Sequence, residues 1–176
     1  MMKFTFTNPA AVDVQSGEAA RDVLNDGRYH VECVSFQEKE DGENPHVRLN
    51  LEVRDGTDKS QRNKVHTQFL NYTVHSSDYV QKKNEAHMAL FARILGAAPA
   101  DMEAKARAGE DVQFDWSKTV GKHCVIEIET RQNKDKTKTY KGEVAESCIY
   151  AVDDPKVADV PKDATAITRS QAADVF

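Results

Sequence analysis

Between residues 47 and 54 the chain alternates without a break. Val47, Leu49, Leu51 and Val53 are interleaved with Arg48, Asn50, Glu52 and Arg54. A period of two sends all four apolar side chains to one face of an extended strand, where a helix would scatter them around its axis. Asp55-Gly56 ends the run with a turn signal. A half-buried strand needs partners, and four other segments offer them. Tyr29, Val31, Cys33 and Ser35 share one face, with His30, Glu32, Val34 and Phe36 on the other. Over 64–72, Val65, Thr67, Phe69 and Asn71 alternate with His66, Gln68, Leu70 and Tyr72. Over 120–130, Cys124, Ile126 and Ile128 alternate with His123, Val125, Glu127 and Glu129; over 140–150, Val144, Glu146 and Cys148 alternate with Ala145, Ser147 and Ile149.

Helical spacing appears twice between the third and fourth strands. Ser76 or Ser77 is placed to cap a helix whose stripe is Met88, Phe91, Ala92 and Leu95, with Gly96 as its stop. Pro99 opens a short Ala-rich helix ending near Gly109, and Phe114 and Trp116 pack on the return path. A further short helix, capped by Ser16 and stopped by Gly27, precedes the first strand. Three strands, a helical insertion and two strands predict a mainly β fold: a five-stranded OB-fold-like Greek-key barrel with the helices between strands 3 and 4. A sandwich would need about seven strands. This domain is expected to span 1–152. After Asp153-Asp154-Pro155 the apolar residues stand singly among Pro, Asp and Ala, which predicts a flexible acidic C-terminal tail over 153–176.

Several classes of protein are poorly served by this sequence. No apolar run approaches the ~20 residues of a membrane-spanning helix, and residues 1–9 lack the pattern of a signal peptide. The expectation is a cytoplasmic protein with no membrane partner. Cys33, Cys124 and Cys148 are odd in number and widely spaced, which argues against a disulfide framework or a zinc site. Neither the histidines nor the carboxylates fall at metal-ligand spacing, and no nucleophile signature is present. The reading is a non-catalytic protein without metal or cofactor.

The net charge is −5, yet positive charge is gathered in two places. Residues 118–141 carry a net +4, with Arg131, Lys134, Lys136, Lys138 and Lys141 around Tyr140; residues 59–83 also carry +4, with Arg62, Lys64, His66, Lys82 and Lys83 near Tyr72 and Tyr79. Cations spaced along a phosphate track and rings on which bases stack are what single-stranded nucleic acid requires. In an OB-fold the ligand lies against strands 2 and 3 and the 1–2 and 4–5 loops, and 131–139 is the 4–5 loop here. The expectation is one continuous groove built from these thirteen residues, binding single-stranded DNA without strong sequence preference. A lysine-rich hairpin tip also serves simply as a solvated turn that resists edge pairing, and Phe69 suits the core as well as a platform.

The segments Met2-Lys3-Phe4-Thr5-Phe6, Gly27-Arg28-Tyr29-His30-Val31, Leu49 to Gly56, Phe91 to Gly96, Val120 to Val125 and Tyr140 to Val144 together resemble a phage-encoded family of small domains found beside recombination genes. The resemblance, which runs over 2–150, implies single-stranded DNA binding in phage replication, recombination or repair. The end, Ala173-Asp174-Val175-Phe176, resembles the Phe-ended acidic tails of bacterial and phage single-stranded DNA-binding proteins. That likeness implies that Asp174, Val175 and Phe176 recruit replication or recombination proteins, although a frayed end finishing in Phe reads equally well. A protein–protein adaptor, or an inhibitor of a host nucleic-acid enzyme, is the alternative function. A monomer and a homo-oligomer are both compatible with the chain.

Overall fold

The computed structural model describes residues 23–174. In it the alternating segments become β1 (Gly27–Lys39), β2 (His46–Gly56), β3 (Val65–Asn71), β4 (His123–Gln132) and β5 (Thr139–Tyr150). They form one antiparallel sheet in the order β3-β2-β1-β4-β5. Placing β4 beside β1, with β2 and β3 beyond, is a Greek-key order, and the long β3–β4 connection carries α1 (Asp78–Ile94) and α2 (Met102–Ala108). A third helix, α3 (Ala164–Ala173), follows β5. The helix expected over 16–27 falls mostly outside the described residues, and its described part, 23–26, is not helical.

The strict pattern of β2 translates directly into burial. Val47, Leu49, Leu51 and Val53 are fully buried, and they pack with Tyr29, Val31, Cys33, Cys124, Ile126 and Ile128. The stripe of α1 (Met88, Phe91, Ala92) and the adjoining Leu95 close this core, together with Trp116. Ser77 caps α1 by accepting from the Val80 N–H, and Gly96 and Gly109 take left-handed φ beyond the ends of α1 and α2.

Two bulges change which side chains face inward. Between Cys33 and Ser35 the β1–β2 register slips, so Phe36 comes opposite Leu49 and packs on the core instead of sharing the outer face with His30. In β5 the pairing jumps from Ile128↔Val144 to Ile126↔Ile149, with Ser147 at φ 59° inside the bulge. Val144 and Ile149, expected on opposite faces, are therefore both core residues. An extra residue in one strand reverses the parity of everything after it.

The sheet does not close into the expected barrel. Its edge strands β3 and β5 are separated by α1, which occupies the seam between them. Asn84 uses its side chain as a substitute strand on one edge. It donates to Asn71 O (2.7 Å) and accepts from Asn71 N (3.1 Å). On the other edge His87 Nε2 donates to Ala145 O (3.2 Å), and Lys83 Nζ reaches Glu143 (3.1 Å). Edge groups satisfied in this way have no reason to pair with each other.

The segment after residue 152, expected to be a flexible tail, is folded against the sheet up to Asp174. Asp154 caps a 3₁₀ turn over Pro155–Val157, and Asp163 caps α3. Val157 and Val160 are buried against Val125, with Tyr150 beside them, and Ala166 is fully buried. Isolated apolar residues are enough here because Val157 and Val160 share one apolar spot, formed by Val125 of β4 and Tyr150 of β5. No helix among the described residues is long and apolar enough to cross a membrane.

Gly56, read from sequence as part of a turn, is buried at the end of β2, where it admits a close backbone approach. A Cβ there would lie 2.5 Å from Tyr29 Cδ1 and 2.7 Å from Arg28 O. Gly56→Ala should therefore lower the unfolding free energy by roughly 1–3 kcal/mol, the usual range for overpacking. Urea unfolding would measure it, and an unchanged midpoint would show that the β1–β2 contact yields freely.

Candidate nucleic-acid interface

Where α1 bridges the seam, it leaves a cleft of about 380 Å³ between β3, its own N-terminal half and the start of β5. His66, Tyr79, Lys83, Arg131, Lys141 and Glu143 are among its lining residues. The helix supplies Tyr79, Lys83 and His87 from one face, since residues four apart lie one above the other. Arg131 and Tyr140 are cross-strand partners in the β4–β5 hairpin.

At the centre is a layered arrangement of rings and guanidinium. Arg131 Cζ lies 4.5 Å from the centre of the Tyr140 ring and 5.8 Å from that of Tyr79. Its Nε donates to Glu143 Oε2 (2.9 Å), the oxygen that also receives Lys83 Nζ. Glu143 thus ties β4, β5 and α1 together, and its charge is offset by two cations. Burial pushes its carboxyl upward, but the hydrogen bonds from Arg131 and Lys83 outweigh this and hold it below its ordinary value of 4.5. Tyr79 remains 49% exposed, so one ring of the stack is open to a ligand.

The hairpin tip is built, not loose. Asn133 Oδ1 accepts from Lys138 N (2.9 Å) and Asp135 Oδ1 from Thr137 N (3.2 Å), while Lys136 adopts φ 57°. These side chains satisfy the turn's backbone and turn Lys134, Lys136 and Lys138 outward. Among the described residues, the ammonium groups of these three, of Lys141 and of Lys82 make no ion pair, and all five residues are exposed.

The thirteen residues expected in one groove are divided by the structure. His66, Tyr79, Lys83, Arg131 and Lys141 line the cleft, Tyr140 stacks beneath Arg131, and Lys134, Lys136 and Lys138 stand on the adjoining hairpin. Lys82 is exposed on α1. Arg62, Lys64 and Tyr72 are not among the lining residues. Arg62 donates to Arg54 O (2.9 Å) and approaches Asp163 (3.9 Å), and Lys64 donates to Gln61 Oε1 (3.3 Å). The Tyr72 hydroxyl accepts from Trp116 Nε1 (2.7 Å), which anchors the return path to β3, though its ring is 44% exposed. His66, although it lines the cleft, is buried, on the same side of β3 as Leu70 and opposite Leu51. Asp174 pairs with Lys122, whereas Val175 and Phe176 lie outside the described residues.

Sequence reading missed Glu143 and Asn84. The signal for both was spacing: Glu143 stands three residues beyond Tyr140, and Asn84 lies on the same side of α1 as Val80 and His87. Among the described residues no cluster of three or more His, Cys, Asp or Glu is arranged to hold a metal ion.

Fold and site together define a small antiparallel β-domain with a cationic, aromatic cleft at the seam of its open sheet. No protein-family model matches the chain, and no curated protein matches its sequence.

The shared carboxylate makes a testable statement about stability. Glu143→Gln should lower the unfolding free energy at neutral pH by roughly 1 kcal/mol, a value kept small because the group is partly solvated. A carboxyl held low in the folded state stabilises fully above its ordinary value and loses that contribution as pH falls through the lowered one. The gap between wild type and variant should therefore close in acid, as followed by urea unfolding across pH. A gap that persists undiminished would mean that Glu143 acts by packing alone.

Proposed function

We propose that the chain binds single-stranded DNA without catalysis, and that the Tyr79–Arg131–Tyr140 stack with the lysines beside it is the contact surface. The observation that carries this reading is the coincidence of a guanidinium–tyrosine stack open at Tyr79 with five exposed lysines free of ion pairs among the described residues. Bases stack on rings and on guanidinium planes, while ammonium groups follow the phosphates. Pairing with Lys83 and Arg131 already offsets the charge of Glu143, so that carboxylate does not set the cleft against a polyanion. The sheet itself reads as an OB-fold held open. Its Greek-key order, its single helical crossover after the third strand and its partly open edge are the features of that fold, whose 4–5 loop is a usual nucleic-acid contact. The resemblance to phage domains found beside recombination genes adds phage replication or recombination, in the host cytoplasm, as the setting.

Binding to a fluorescent oligo-dT, read by anisotropy, tests the proposal. If five lysines each neutralise one phosphate, affinity should fall on the order of 10²-fold between about 50 and about 200 mM salt. Tyr79→Ala and Tyr140→Ala should each weaken binding by ~1–3 kcal/mol, and Tyr72→Ala, whose ring belongs to the Trp116 anchor, by clearly less. Affinity indifferent to salt and to both cleft tyrosines would leave the adaptor reading in its place.

A further inference from the structure

The segment 153–174 is held on the outer face of β1 and β4 by a chain of hydrogen bonds whose direction is set at one end. The backbone N–H of Asp163 points at His30 Nδ1 (3.0 Å). An amide can only donate, so Nδ1 is the bare nitrogen and Nε2 carries the hydrogen. His30 Nε2 meets His123 Nδ1 at 3.0 Å, which makes that nitrogen the acceptor and leaves His123 Nε2 to donate to Ser170 Oγ (2.7 Å). All four imidazole nitrogens are thereby used, with both rings neutral. Asp163 and Ser170 are seven residues apart and sit on one face of α3, with buried Ala166 between them. We propose that this relay makes the C-terminal segment a proton-sensitive latch, docked while both rings are neutral and released when either takes up a proton.

The chemistry leaves no accommodating alternative. A proton on His30 Nδ1 sets it donor-to-donor against the Asp163 amide, and a proton on His123 Nδ1 sets it against His30 Nε2–H. The surrounding charges are mixed. His30 faces His123 on β4, Asp55 on β2, and Asp163 and Lys162 on the segment itself. His123 faces Glu32 on β1, Arg54 on β2, and Asp163 and Arg169 on the segment. Burial is the largest influence on both rings. It takes His30 from its ordinary 6.5 to about 4, assisted by His123, and lowers His123 as well. The sign follows from linkage: a histidine held neutral contributes fully above its ordinary value and loses that contribution as pH falls from about 6.5 toward about 4. Release at acid pH strips Val125, Val157 and Val160 of their mutual cover but leaves the main core, on the other face of the sheet, intact.

Amide hydrogen exchange of residues 164–173 in the full chain, corrected for intrinsic rates, reports docking, and fluorescence of Trp116, the single and fully buried tryptophan, reports the main core. Between about pH 7.5 and about pH 4.5, protection of 164–173 should fall on the order of tenfold or more while Trp116 emission holds. His30→Asn should flatten that pH dependence. Where His30→Asn disturbs Trp116 at neutral pH, Ser170→Ala substitutes for it: it removes only the last acceptor and should release the segment at higher pH than wild type. Protection that stays constant with pH, that is lost only together with Trp116 emission, or that follows the wild-type curve in both variants would overturn the latch. None of these readouts involves DNA, so the latch and the proposed function stand or fall separately.

Discussion

A five-stranded antiparallel sheet that does not close leaves two rows of edge amides and carbonyls, and α1 attends to both. Asn84 completes the hydrogen bonding of Asn71 on β3, while His87 and Lys83 reach Ala145 and Glu143 on β5. These contacts set the rotation of the helix about its axis. With Lys83 and His87 fixed toward β5, the i, i+4 spacing brings Tyr79 over Arg131. The cleft therefore follows directly from the way the seam is filled. Glu143 is the point where the two requirements meet, because one carboxylate oxygen satisfies a helix lysine and a strand arginine at once.

What the sequence made legible was whatever depends on local period. The faces of β2 and α1, the capping serine at 77 and the stops at Gly96 and Gly109 are decided within a few residues of themselves, and they stand where the pattern puts them. Strand faces failed where a bulge intervenes, at Phe36 and at Ile149, because a bulge is settled by the pairing partner and not by the strand that contains it. Closure of the barrel failed for a similar reason. Whether β3 meets β5 depends on what α1 offers their edges, and nothing in the alternation of either strand records that.

The C-terminal segment was misread through composition. Its apolar residues are too few for a core of their own, which is the usual mark of disorder. Yet Asp154 before Pro155 and Asp163 before an Ala-rich run are both helix-start signals. Read as caps, they would have argued for two short ordered turns. What they could not reveal is the surface that receives them, since His30 and His123 are separated by 93 residues and become neighbours only through β1–β4 pairing. The cationic part of the candidate site was easier, because the lysines of the hairpin tip, at 134, 136 and 138, lie within a few residues of one another. Arg62, Lys64 and Tyr72 were grouped with them on charge and ring content alone, and the structure gives each of these a local partner instead.

The acidic net charge and the cationic cleft are reconciled by where the acids are placed. Glu127 pairs with Arg28, Glu32 and Glu52 with Arg54, and Glu143 with Lys83 and Arg131. On the outer face of β1 and β2, Glu32 and Glu52 are thus spent on Arg54, and over β4 that face lies beneath the C-terminal segment. The hairpin and the exposed side of α1 differ: Lys82, Lys134, Lys136, Lys138 and Lys141 make no ion pair among the described residues, and Asp135 is occupied with its own turn. A polyanion responds to local potential within about 10 Å at ordinary salt, not to the sum over the chain. The exposed lysines belong to α1 and to the β4–β5 hairpin, the elements that also carry Tyr79 and Arg131, and that draws the electrostatic argument to the cleft.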